Sequence, residues 1–172
     1  MKQIRRSVFE TNSSSVHSIS IIKKVDSVAI PKQIFFDNEC EFGWSVETLN
    51  DVNSKANYLM SAIACTAKDK DELDRNVELF LGALSGTKCN NYGLTFEYHH
   101  WDGHDYFSFG GIDHGNELEE WVQELLGNHD LLYNFLFSEN SVIQTGNDND
   151  ESDYPEPWQA KDPNYFVYIK EN

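Results

Sequence analysis

The chain has 172 residues and a mass of 19.8 kDa, about the size of one domain. Aspartate and glutamate number 29 against 13 lysines and arginines, a net charge of −16 at pH 7. With 40% hydrophobic residues the chain can build a core, which excludes wholesale disorder, while the charge argues against direct nucleic-acid binding. No apolar run approaches the ~18 residues of a membrane span.

The opening MKQIRRSVFETNSSS is basic and lacks an apolar stretch, so it does not read as a secretory signal. Five basic residues against one acidic residue leave residues 1–24 at +4 and the remainder at −20. Residues 16–22 alternate and then run apolar, which predicts a strand. Short strands are expected at 28–30 and 33–36, followed by a turn at Glu41-Phe-Gly-Trp44.

Two helices are predicted with clear periodicity. In residues 54–67, Ala56, Leu59, Met60, Ile63 and Ala67 form one stripe. In residues 70–85, Leu73, Val77, Phe80, Leu81 and Leu84 do the same. Asp69 followed by Glu72 has the spacing of an N-terminal cap, and Gly86 is a candidate stop.

Strands return at 93–98 and 106–109, with Asp102-Gly103 marking the turn between them. Short helices are expected at 117–126 and 130–137, the second capped by Asp130. Residues 141–145 read as a strand, 146–153 as an acidic loop, and 165–169 as an edge strand able to pair with a second copy. The sum is an α+β class chain: one domain over residues 1–172, with a mixed or antiparallel sheet of several short strands and about four helices.

Cys40, Cys65 and Cys89 are odd in number and widely spaced, which fits a reducing cytoplasm better than a disulfide framework. Cys65 lies in an apolar helical stretch and reads as a packing residue, while Cys40 and Cys89 are freer to bind a metal. His100-x-x-x-His104 straddles a turn, so the logic of two ligands on one helix face does not apply to it. Asp113-His114 stands where a strand meets a helix and can offer one ligand and one orienting carboxylate. Thr11 to Ser15 put hydroxyls near His17, but no nucleophile elbow or phosphate loop is present. The loop from Asp148 fails the calcium-loop pattern, with Asp153 at position six and Gln159 at position twelve. Acids recur at Glu117, Glu119, Glu120 and Glu124. They suit either plain solubility or a partner with a basic groove, where carboxylates replace phosphates.

The segment Ile4-Arg-Arg-Ser-Val-Phe-Glu-Thr-Asn-Ser-Ser-Ser-Val-His-Ser-Ile19 resembles the start of a family of small proteins encoded by phages and prophages of Gram-positive bacteria. Further likeness runs in order through Glu41-Phe-Gly-Trp44, Lys55-Ala-Asn-Tyr-Leu59, Gly111-Ile-Asp-His114, Asn134-Phe-Leu-Phe137 and Gly146-Asn-Asp-Asn149. The resemblance carries over no catalytic residues. It implies a phage context in the cytoplasm of an infected host, and its small acidic proteins look like counter-defence proteins. Among these are anti-CRISPR proteins that block a type II effector nuclease, which holds nucleic acid in positively charged channels.

The matched motifs also suggest a metal site. Were His17, Glu41 and His114 to meet, with Asp113 beside them, their donors would suit zinc. A closed site would stabilise the fold, and an open one would activate water for hydrolysis. The leading expectation is therefore a non-enzymatic acidic inhibitor of a host defence nuclease, with a structural zinc. Its partner-binding acids would be Glu117, Glu119, Glu120 and Glu124. The alternative is a metal-dependent hydrolase of a phosphodiester or nucleotide centred on His17, Asp113 and His114. A phage assembly accessory protein is a third reading, disfavoured by the lack of coiled-coil heptads.

Overall fold

The computed structural model describes residues 15–24, 28, 30–85, 88–89, 94–101, 103–147 and 158–170. Its central sheet has four antiparallel strands in the order β10-β1-β9-β4, where β1 is Ser15–Ile22, β4 Glu47–Leu49, β9 Val142–Asn147 and β10 Tyr165–Lys170. Strand β1 pairs on both sides, so His17 lies opposite Lys170 on one flank and Thr145 on the other. Strand β10 forms one edge of the sheet, as its β-rich sequence predicts.

Helix α1 (Val52–Thr66) runs through the middle of the molecule, and every residue from Lys55 to Ala64 is buried. A helix buried on all sides needs apolar residues beyond one stripe, and Tyr58, Ala62 and Ala64 supply them beside Ala56, Leu59, Met60 and Ile63. Helix α2 (Lys70–Ala83), helix α3 (Glu119–Gly127) and helix α4 (His129–Phe137) pack against it. Trp121 of α3 joins the layers, its ring edge-on to Tyr58 of α1 at 6.0 Å and to Phe135 of α4 at 5.4 Å. The architecture is α+β, with four α-helices among the described residues.

Several boundaries move from their predicted places. Helix α1 starts at Val52, two residues before its predicted start, because the Asp51 side chain accepts from the Ser54 amide. The predicted cap of α2 is present, with the Asp69 side chain accepting from the Glu72 amide. Asn128, not Asp130, caps α4, its side chain accepting from the Leu131 amide. Asp130 instead sits in the first turn, where its charge favours the helix dipole. A 3-10 turn (Gly115–Leu118) precedes α3, so the predicted helix from 117 begins as a tighter coil.

The remaining strands are short. β2 (Gln33–Ile34) pairs in parallel with β5 (Lys88–Cys89), and β3 (Glu41–Phe42) pairs in parallel with β8 (Gly111–Ile112). β6 (Glu97–Trp101) and β7 (His104–Ser108) form the predicted hairpin, and Gly103 in its turn has φ +81°. The hairpin therefore carries its histidines on strands. His100 opposes Asp105, whereas His104 opposes Trp101 and faces the other side. The predicted strand at 28–30 does not form at its described residues, Val28 and Ile30, while the predicted stop at Gly86 and the acidic loop beyond Asn147 lie outside the described residues. Among the described residues no helix is long and apolar enough to cross a membrane.

Lys55 has no exposed surface. Its Nζ donates to the carbonyls of Ser138 (2.7 Å) and Ser141 (3.1 Å), just past the end of α4. Carbonyls at a helix end lack partners within the helix, and a cation there also favours the dipole. Burial lowers the Lys55 pKa to about 8, against the opposing pull of Asp51 and Glu139. Lys55→Met keeps the stem and removes the donor. It is expected to destabilise the fold by about 1–3 kcal/mol, read as a shift in the urea midpoint, because the Ser141 carbonyl loses the ammonium and the Ser138 carbonyl keeps only the Ser141 amide. An unchanged midpoint would mean that the ammonium is not what satisfies them.

Candidate functional site

Alternation along β1 turns His17, Ile19 and Ile21 toward the helices, and His17 arrives fully buried beside α1. Its Nδ1 lies 2.6 Å from the Tyr58 hydroxyl and its Nε2 lies 3.2 Å from Ser15 Oγ. Lys170, opposite His17 on β10, donates from Nζ to Ser15 O (2.7 Å) and Ser15 Oγ (3.1 Å). The Ser15 hydroxyl donates to the Asp113 carbonyl at 3.5 Å.

We assign the proton positions from the donors and acceptors present. A hydroxyl has one proton and two lone pairs. The Ser15 proton goes to Asp113, so the lone pairs accept from Lys170 and from His17 Nε2–H. Nδ1 is then the acceptor for the Tyr58 hydroxyl. The imidazole is neutral, its pKa lowered to about 3 by burial first and then by the charges of Lys170 and His114. Burial also holds the Tyr58 phenol well above its usual value, so it stays a donor. A base that activates Ser15 would need an unprotonated Nε2, and here that nitrogen is the donor.

Gly43, between β3 and β4, closes the cluster. Its φ is +90°, and a Cβ there would stand 2.6 Å from His17 Nε2 and 3.1 Å from Asp113 Cβ. The loop can approach only because the side chain is absent. Gly115 is equally confined, with space for a Cβ blocked by Ile112 and by Cys65 Sγ. Cys65 is enclosed enough that burial pushes its thiol up to about 12, in keeping with a packing role.

The rim is charged. His114 adopts the left-handed conformation (φ 51°) and lies 3.9 Å from Asp113 Oδ1 and 3.7 Å from Glu117 Oε1. Glu117 Oε2 stands 3.8 Å from Lys170 Nζ, and the Tyr168 hydroxyl donates to the Glu117 carbonyl at 3.0 Å.

Of the four candidate ligands, the structure brings His17, Asp113 and His114 to one locality but not Glu41. On β3 the side chains alternate, so Phe42 enters the core against Tyr58 and Glu41 points outward. Glu41 lines a separate polar groove with Glu39, Cys40 and Glu97. Both nitrogens of His17 are engaged by Ser15 and Tyr58. Among the described residues no three His, Cys, Asp or Glu side chains converge as a metal site. Ser15 and Lys170 take part in the cluster without having been singled out individually, and neither has a local pattern that marks it as buried.

The four acids sit on the 3-10 turn and on α3. Glu119 pairs with Lys68, and Glu117 lies near Lys170 and His114. Glu120 and Glu124 are exposed and make no ion pair among the described residues. No known protein family, curated protein or solved structure matches the chain.

Proposed function

We propose that the protein acts by binding: it presents an acidic face to the basic groove of a host defence nuclease and inhibits it stoichiometrically, without turnover. The observation that carries this reading is the net charge of −16 together with the exposed, unpaired Glu120 and Glu124 beside Glu117. Buried Ser15, His17, Tyr58 and Lys170 then serve to hold β1, α1, the loop before α3 and β10 together beneath that face. The field of these carboxylates reaches neighbouring groups: Tyr168 is raised by burial first and then by Glu120 and Glu117. Complementary fields speed encounter and suppress wrong partners. The nuclease target, of the type II effector class, rests on the resemblance of the N-terminal motif and on charge. A hydrolase centred on His17 has less support, because both ring nitrogens are already engaged.

The test is charge reversal. Glu120→Lys combined with Glu124→Lys is expected to weaken inhibition of a type II effector nuclease by about 10- to 100-fold at low salt. The difference should shrink as salt shortens the screening length. Equal inhibition by parent and variant at low salt would end the electrostatic reading.

A further inference from the structure

Between α2 and the β6–β7 hairpin lies a cavity of about 450 Å³ lined by Lys70, Leu73, Phe96, Tyr98, Asp105 and Phe107. Leu73 and Phe107 form its buried floor, while Tyr98 stands 57% exposed at the mouth. Hairpin register explains the composition. Tyr98 opposes Phe107 and His100 opposes Asp105, so these four side chains share one face. The Tyr98 and Phe107 rings lie 5.6 Å apart.

The polar groups at the mouth have a definite polarity. Asp105 Oδ1 accepts from the Tyr98 hydroxyl (2.9 Å) and meets His100 Nδ1 (2.7 Å). These two contacts leave Oδ2 with its acceptor capacity. They hold the carboxyl below its usual range, His100 contributing first and Tyr98 second, so a full negative charge faces the slot. Lys70 pairs with Asp74 one turn along α2, which counters its charge locally. A purely apolar occupant would desolvate Asp105 without compensation. A cation with an apolar stem would satisfy the aromatic walls and the carboxylate together.

We propose that this slot seats an arginine side chain of the basic partner, its stem against Leu73, Phe96 and Phe107 and its guanidinium between the Tyr98 ring and Asp105. The inference rests on the binding function proposed above and names the second contact of that interface. Helix α2 links the two regions: Lys68, just before it, and Glu72 within it meet Glu119 and Gln123 of α3, while Lys70 and Leu73 line the slot. Arginine suits the slot better than lysine because its planar, weakly hydrated head stacks on aromatic rings and forks onto a carboxylate.

Nona-arginine and nona-lysine, titrated at equal low salt, separate this slot from the acidic face. The parent protein is expected to bind nona-arginine at least about fivefold more tightly than nona-lysine. Tyr98→Ala and Asp105→Asn, both changes at the solvent-exposed mouth, are expected to remove most of that preference and spare nona-lysine binding. Glu120→Lys with Glu124→Lys should weaken both peptides alike and keep the preference. A preference that survives Tyr98→Ala and Asp105→Asn, or a parent that binds both peptides equally, would overturn the arginine slot and leave the acidic face standing. A parent that binds neither peptide would overturn both.

Discussion

Between pH 6.5 and pH 3 the protein is expected to lose roughly 4–5 kcal/mol of stability through His17 alone. The folded state holds this imidazole neutral down to about pH 3, whereas in the unfolded chain it takes up a proton near 6.5. In that window the unfolded state binds more protons, so stability falls as pH falls. Above pH 7 the contribution is fully present and flat. The physical reason is the donor pattern: a charged ring would carry protons on both nitrogens, and Nδ1–H would then face a Tyr58 hydroxyl that must reverse its bond. Protonation would also place a second cation beside buried Lys170. Urea unfolding at steps of pH, run on the parent and on His17→Gln, isolates the effect. The parent curve should be steeper by about one proton per molecule between pH 6 and 4. Parallel curves would mean that His17 titrates normally in the folded protein.

Gly43→Ala is expected to cost about 2–4 kcal/mol. A left-handed φ of +90° disfavours alanine by about 1–2 kcal/mol. The new methyl would also stand 2.6 Å from His17 Nε2, and overpacking of that kind adds about 1–3 kcal/mol. The imidazole cannot retreat, since its far side is held by Tyr58. Gly82→Ala is the matched control. It makes the same chemical change on the exposed face of α2, where a Cβ meets nothing within 4 Å, and should stabilise the protein by up to about 1 kcal/mol. Urea midpoints that move in opposite directions support this account of the loop. A Gly43→Ala protein as stable as the parent would show that the loop at Gly43 is free to move away from His17.

Much of the fold was legible along the chain because its signals are local. The stripes of α1 and α2 follow the helical period, and the Asp69 cap depends on residues three apart. The hairpin turn at Gly103 is a neighbour effect, and Tyr165–Lys170 declares itself by β-rich composition. The parallel pairs β2–β5 and β3–β8 were not legible. Two residues per strand give no periodicity to read, and their partners lie over fifty residues away. For the same reason the direction of Glu41 could not be read, because one step of register decides whether Glu41 or Phe42 enters the core. The choice of Asn128 over Asp130 as the α4 cap was equally hidden, since both are good caps two residues apart.

By itself the sequence determined the charge, the phases of the helices and the existence of the central strand that carries His17. Only the tertiary structure decided which polar groups are buried and what satisfies them. Lys55 looks like an ordinary helix-surface lysine until Ser138 and Ser141, more than eighty residues on, supply its acceptors. Lys170 reaches Ser15 across 155 residues, and its charge adds to burial in lowering the His17 pKa. A buried polar side chain is stable only with its partners in place, and those partners come from segments brought together by the whole fold.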